Sequence, residues 1–111
     1  MKELKIFVGL SDCEGRKNEK IKKEFKRLLD VIVKETGGAT VLNSKGYYTN
    51  KHNKIIEENS RVIITYLSST EKENKEKIRI IKTAITYFLK TTKQESVIIE
   101  VKDVNIEFFE L

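Results

Sequence analysis

The sequence has no proline and no tryptophan, one cysteine, one histidine and five glycines in 111 residues. Each scarcity removes a class of answer. Cys13, being alone, excludes an intramolecular disulfide and a cysteine-rich zinc cluster, and His52, being alone, excludes a multi-histidine metal site within one chain. No apolar run approaches the roughly 18 to 20 residues of a membrane helix, so no membrane partner is expected. Met1 to Lys5 pass straight into a strand pattern without a signal-peptide region, which makes the cytoplasm the expected location. With no proline-rich or glycine-rich linker, no internal repeat and no low-complexity tail, residues 1–111 read as a single domain.

What is abundant is charge. Lysine and arginine number 22 against 17 aspartate and glutamate, a net +5. Such an excess attracts polyanions, yet the two signs interleave along the chain. Lys, Glu, Ile and Asn are plentiful together, as in an AT-rich coding sequence, and most of the charge reads as solvated surface.

The apolar periodicity alternates between two and 3.6 residues. Residues 4–10 read as a strand with Leu4, Ile6, Val8 and Leu10 on one side, ending in a turn-like stretch at 11–15. Over residues 18–36, Ile21, Phe25, Leu28, Leu29 and Ile32 recur at helical spacing, and Gly37-Gly38 stops the helix. Residues 39–49 and 54–67 form a long hairpin around the polar stretch 50–53. Thr70 and Glu73 have capping-box spacing ahead of a second helix striped by Ile78, Ile81, Ile85, Phe88 and Leu89. A fourth strand is expected over 96–101 and a short fifth over 104–109, after a turn at Lys102-Asp103.

Two β-α-β units joined by a hairpin close most simply as an α+β, ferredoxin-like split β-α-β sandwich, with both helices on one face of an antiparallel sheet. Right-handed crossovers then give the strand order four, one, three, two. That order brings residues 11–16, 48–54 and 94–96 to one edge. The sheet face away from the helices carries Phe7, one of Tyr47 and Tyr48 depending on register, and further apolar residues, so a homo-oligomer assembled through this face is expected.

Phe7-Val8-Gly9-Leu10, then residues 38–42 with Gly46-Tyr47-Tyr48, then Ile56 and residues 58–62, then residues 94–97 follow one another in an order that resembles a family of small bacterial proteins known as domain of unknown function 3574. The resemblance runs from Leu4 to about Phe108. It implies no activity, although members are often exported or lipid-anchored, and it points to Thr40, Gly46, Glu58, Ser60, Gln94 and Glu95. At the level of fold alone, the long hairpin is similar to that of the PII-like nitrogen-regulatory proteins, which are trimers that bind nucleotides between subunits.

The candidate chemistry gathers at the predicted edge. Cys13 and His52 are available as nucleophile and base, against the plainer reading of a free thiol and an exposed hairpin-tip histidine. Glu57 and Glu58 point to opposite faces and cannot pair, whereas Glu58 and Ser60 share a face and, with Gln94 and Glu95, make either a polar cluster or a set of struts for the hairpin. Arg16, Lys17, Lys51 and Lys54 are placed to surround a phosphate, with Ser11 and His52 beside them, while Tyr47 and Tyr48 are placed to stack on a base. No phosphate-loop or dinucleotide fingerprint is present. The reading that follows is a non-enzymatic module without catalytic residues, metal or cofactor, binding an anionic, nucleotide-like small molecule. A phage or mobile-element protein that sequesters a signalling nucleotide would fit it. Two alternatives are a nucleic-acid or protein interaction module using the lysine-rich side of residues 20–34, and a small hydrolase using Glu58 or Cys13.

Overall fold

The computed structural model describes every residue except Cys13, Asn18 and Leu111. Six elements follow one another: β1 (Lys2–Gly9), α1 (Glu19–Thr36), β2 (Thr40–Thr49), β3 (Ile55–Leu67), α2 (Glu71–Thr92) and β4 (Ile98–Asp103). The sheet order β2-β3-β1-β4 is the expected one, and every pairing is antiparallel. The chain is thus an α+β, ferredoxin-like sandwich.

Alternation in β1 sets the two sides of the sheet. Leu4, Ile6 and Val8 are fully buried under the helices while Phe7 faces the other way. Ile6 lies opposite Ile63 of β3 and Ile99 of β4, and these residues meet Ile21, Leu28 and Ile32 of α1 and Ile81, Ile85 and Phe88 of α2 in one core. Full burial of each such side chain stabilises by about 1.5–3 kcal/mol, so this layer dominates the stability. The helix ends follow local chemistry. Gly37 takes φ 90°, open to glycine without strain, and its amide closes on the Val33 carbonyl at 2.7 Å. Thr70 caps α2 by accepting the Glu73 amide at 3.2 Å.

The hairpin of β2 and β3 runs past the helices, and the molecule measures 47 Å by 24 Å by 24 Å. On the face without helices, Phe7, Leu42 and Ile98 stand 37%, 49% and 66% exposed. Cross-strand register puts Phe7 beside Val62 and Ile98, and Val62 beside Leu42, so the exposed residues form one apolar band. No helix among the described residues is long and apolar enough to cross a membrane.

The expected fifth strand is a correction. Lys102 and Asp103 form no turn; they continue β4, opposite Glu3 and Lys2. One further bond, from the Val104 amide to the Met1 carbonyl at 3.0 Å, exhausts the length of β1. Beyond that bond, residues 105–110 lie in no helix or strand.

Candidate functional site

Three segments converge where β1 ends, as the topology requires. The Gln94 side chain donates from Nε2 to the Gly9 carbonyl at 2.7 Å, the Tyr48 hydroxyl donates to the Asp12 carbonyl at 3.2 Å, and the Lys51 amide donates to Glu95 Oε1 at 3.4 Å. Between them lies a cleft of about 430 Å³, within the range of small-molecule sites. Its walls are Phe7, Tyr47, Tyr48, Val62 and Ile98; its polar groups come from Ser11, Ser44, Lys45, Glu58, Ser60, Gln94 and Glu95.

Glu58 is the half-buried charge of the cleft. It stands opposite Gly46 in the β2–β3 register, and its carboxylate folds back over Gly9, where Oε2 accepts from both the hydroxyl and the amide of Ser11. Burial pushes the Glu58 carboxyl above the ordinary range, and the two bonds from Ser11 only partly offset it. Ser60, two residues on and on the same face, shares a 2.8 Å hydrogen bond with Ser44. Glu57 faces the other way and bridges Lys45 at 3.1 Å, so the cleft's one lysine is already paired.

The predicted cations do not ring this cleft. Ser11, Tyr47, Tyr48, Glu58, Ser60, Gln94 and Glu95 line it; Arg16, Lys17, Lys51, His52 and Lys54 do not. The reason lies in two loops of the same design. Asp12 accepts the amides of Glu14 and Arg16 at 2.9 and 3.0 Å on Oδ1, and its own backbone bonds to Arg16 and Gly15, the latter at φ 79°. Asn50 does the same at the hairpin tip: Oδ1 accepts the amides of His52 and Lys54 at 2.9 and 3.1 Å, with Asn53 at φ 60°. Amides that would cradle a phosphate ahead of α1 are taken by the chain's own carboxylate. Arg16 turns to Asp12 Oδ2 at 3.0 Å, and His52 Nε2 lies 3.3 Å from Glu14 Oε1, both at the surface. Burial alone would raise the Asp12 carboxyl, but the Arg16 and Glu14 amides and the guanidinium outweigh it and hold it below the usual range. Cys13, the other half of the nucleophile and base reading, lies outside the described residues.

Sequence reading missed Gly9 and Ser44 as site residues, and Gly46 came only from the family resemblance. A glycine matters here only through what stands across from it, which register supplies and composition does not.

A family model described as a protein of unknown function, DUF3574, matches residues 3–108. No curated protein matches. Among solved structures, a phage SAM lyase in complex with S-methyl-5'-thioadenosine is similar at TM-score 0.69 and 23% identity, over 98% of this chain and 92% of that one. The periplasmic divalent cation tolerance protein CutA from Archaeoglobus fulgidus gives 0.59 and 14%, over 97% and 88%. A DUF3240 family protein from Shewanella baltica gives 0.56 and 9%, over 99% and 97%. At these identities the likeness is one of fold.

Proposed function

This chain belongs to the DUF3574 family of proteins of unknown function, and from that starting point we propose that its cleft binds a sulfonium nucleoside of the S-adenosylmethionine class and cleaves it, releasing S-methyl-5'-thioadenosine. The observation that carries this reading is the sign of the cleft. Its carboxylates, Glu58 and Glu95, face apolar and aromatic walls, and its lysine, Lys45, is bridged to Glu57. A polyphosphate would meet uncompensated negative charge there, whereas a cationic or neutral nucleoside finds a counter-ion and aromatic surface for its base. This keeps the nucleoside part of the expected nucleotide-like ligand but replaces its anionic character with positive charge, and replaces non-enzymatic binding with cleavage. The phage lyase of the same fold supports the choice of chemistry.

The reaction suits such a cleft. As an oxygen of the substrate's own carboxylate bonds to the γ-carbon of the amino-acid side chain, the carbon–sulfur bond breaks and its electron pair stays on sulfur, so the sulfonium and carboxylate charges cancel and the four-carbon fragment leaves as its lactone. An environment poor in water favours a transition state in which those charges are already fading. Phe7, Val62 and Ile98 supply that environment once the open side is covered, and Glu58, held by Ser11, anchors the substrate's positive end. Self-association belongs to the same reading. The apolar band of Phe7, Leu42, Val62 and Ile98 adjoins the cleft, and a second copy laid on it would close the open side.

The test is incubation of the purified chain with S-adenosylmethionine, with chromatography and mass spectrometry for product, beside calorimetric titrations of S-adenosylmethionine, S-methyl-5'-thioadenosine and ATP. Product formation, with binding of the two sulfur nucleosides and not of ATP, is expected. Absence of both product and heat for either sulfur nucleoside at millimolar concentration would sink the proposal.

A further inference from the structure

The sheet has two free edges, β2 and β4, and they differ. Edge strands that remain unpaired are ordinarily short, charged or broken by proline. β4 fits that description, with six residues that include Glu100, Lys102 and Asp103. β2 does not. It is ten residues long, has no proline, carries Lys45 as its one charge, and that charge is paired with Glu57. Its outer row of amides and carbonyls has no strand beside it.

The same chain carries a strand pattern with no strand to join. Val104, Ile106 and Phe108 alternate with Asn105 and Glu107, a period of two that suits a strand with one apolar side. In the fold this segment has run off the end of β1, and Phe108 and Phe109 stand 67% and 87% exposed. Leaving two phenylalanines in water beside an unpaired, alternating backbone is costly unless something covers them.

We propose that residues 104–109 form the missing strand on the β2 edge of a second copy of this chain. The pairing must be between chains. Within one copy, β4 and a strand added on the outer side of β2 would lie four strand spacings apart, roughly 19 Å. Six residues reach about 20 Å at full extension, so crossing the sheet would leave too little chain to pair with the far edge. Charge does not oppose the arrangement: the segment around the pattern carries Glu107 and Glu110, and β2 carries no carboxylate to repel them. Backbone bonds supply the affinity in such strand addition, and alternate side chains set the register. Because β2 also supplies Ser44 and Lys45 to the cleft, the added strand would brace that wall from outside. The inference stands on the edges and the terminal pattern and is independent of the cleft's ligand.

The experiment is light scattering of the full chain at several concentrations, together with hydrogen exchange of the backbone amides. A concentration-dependent oligomer is expected, with amides in 105–109 and on the outer side of β2 slowed roughly 100-fold relative to dilute protein. Ile106→Pro, which removes a strand donor outside every helix and strand, should weaken assembly roughly tenfold or more and release the β2 amides while the helical signal is retained. The proposal is overturned if the chain is monomeric throughout, or if it assembles while residues 105–109 exchange as free peptide. The exchange measurement decides the matter even should the variant fail to fold.

Discussion

A β-carbon on Gly9 would lie 2.1 Å from Oε1 of Glu58. The carboxylate occupies the space that any other residue at position 9 would fill, and from there it reaches Ser11 on the far side of the strand end. One glycine therefore decides whether the cleft's central charge is held at Ser11 or displaced into the cleft.

Gly9→Ala should expel that carboxylate without disturbing the core, which faces the other side of β1. We expect a stability change of less than about 1 kcal/mol, because the clashing atoms are the far end of a flexible side chain that can swing away, and loss of at least roughly tenfold in binding of S-methyl-5'-thioadenosine, since a displaced Glu58 side chain falls into the cleft. Thermal unfolding and calorimetry on the same preparation check both.

Glu58→Gln separates charge from shape. A carboxyl whose pKa is raised by folding holds its proton more tightly folded than unfolded. Its stabilising contribution is therefore complete below the unfolded value of about 4.3 and is lost as pH rises through the folded value. The variant should accordingly melt higher than wild type near neutral pH, with the difference closing by about pH 4. Binding should move the opposite way: S-adenosylmethionine weakened roughly 10- to 100-fold, as for loss of a charge-assisted contact, and neutral S-methyl-5'-thioadenosine much less. Equal losses for the two nucleosides would remove Glu58 as the anchor of the positive end.

Asp12 and Asn50 do one job in two loops, and this fixes an order of variants. Asp12→Asn keeps an oxygen for the Glu14 and Arg16 amides and gives up the ion pair with Arg16, a largely exposed side chain whose pairing contributes about 0–1 kcal/mol. Asp12→Ala gives up both amide bonds and should cost about 2 kcal/mol. Because folding lowers the Asp12 pKa, its contribution is complete above the unfolded value and is lost as pH falls through the folded one. Urea titrations at neutral pH should rank wild type, Asn and Ala in that order, and the gap between wild type and Asp12→Asn should shrink in acid.

Gly15→Ala tests the positive φ of the first loop. At φ 79° the new methyl group is strained, and it would stand 3.2 Å from Ile56 Cγ2. A cost of about 1–2 kcal/mol is expected, whereas Gly38→Ala, with open space around it, should change stability by less than about 0.5 kcal/mol.

Much of this fold was legible because its signals are local. Thr70 with Glu73, Gly37 after Thr36, and the alternation around Ile6 each determine their own stretch of backbone, and right-handed connection then orders the strands. The fifth strand was legible in pattern but not in outcome, since pairing depends on a neighbour, which an alternating pattern does not supply. In the site, Ser11, Glu58 and Gln94 could be brought together by topology alone. The placement of Arg16 and Lys54 could not, because a loop's direction depends on which groups its own amides choose, and here Asp12 and Asn50 take them. Nothing in the composition distinguishes an aspartate that satisfies its own loop from one that leaves that loop open for an anion.

Those two loops also bear on how fast the cleft fills. Each meets the donors just described with its own side-chain oxygen, so a ligand arriving between them has little backbone to order. For the proposed nucleoside, association should then run at the rate of oriented encounter, and variants along the cleft should differ chiefly in how long it stays. Dwell time, rather than capture, becomes the quantity on which selection for one nucleoside over another would act.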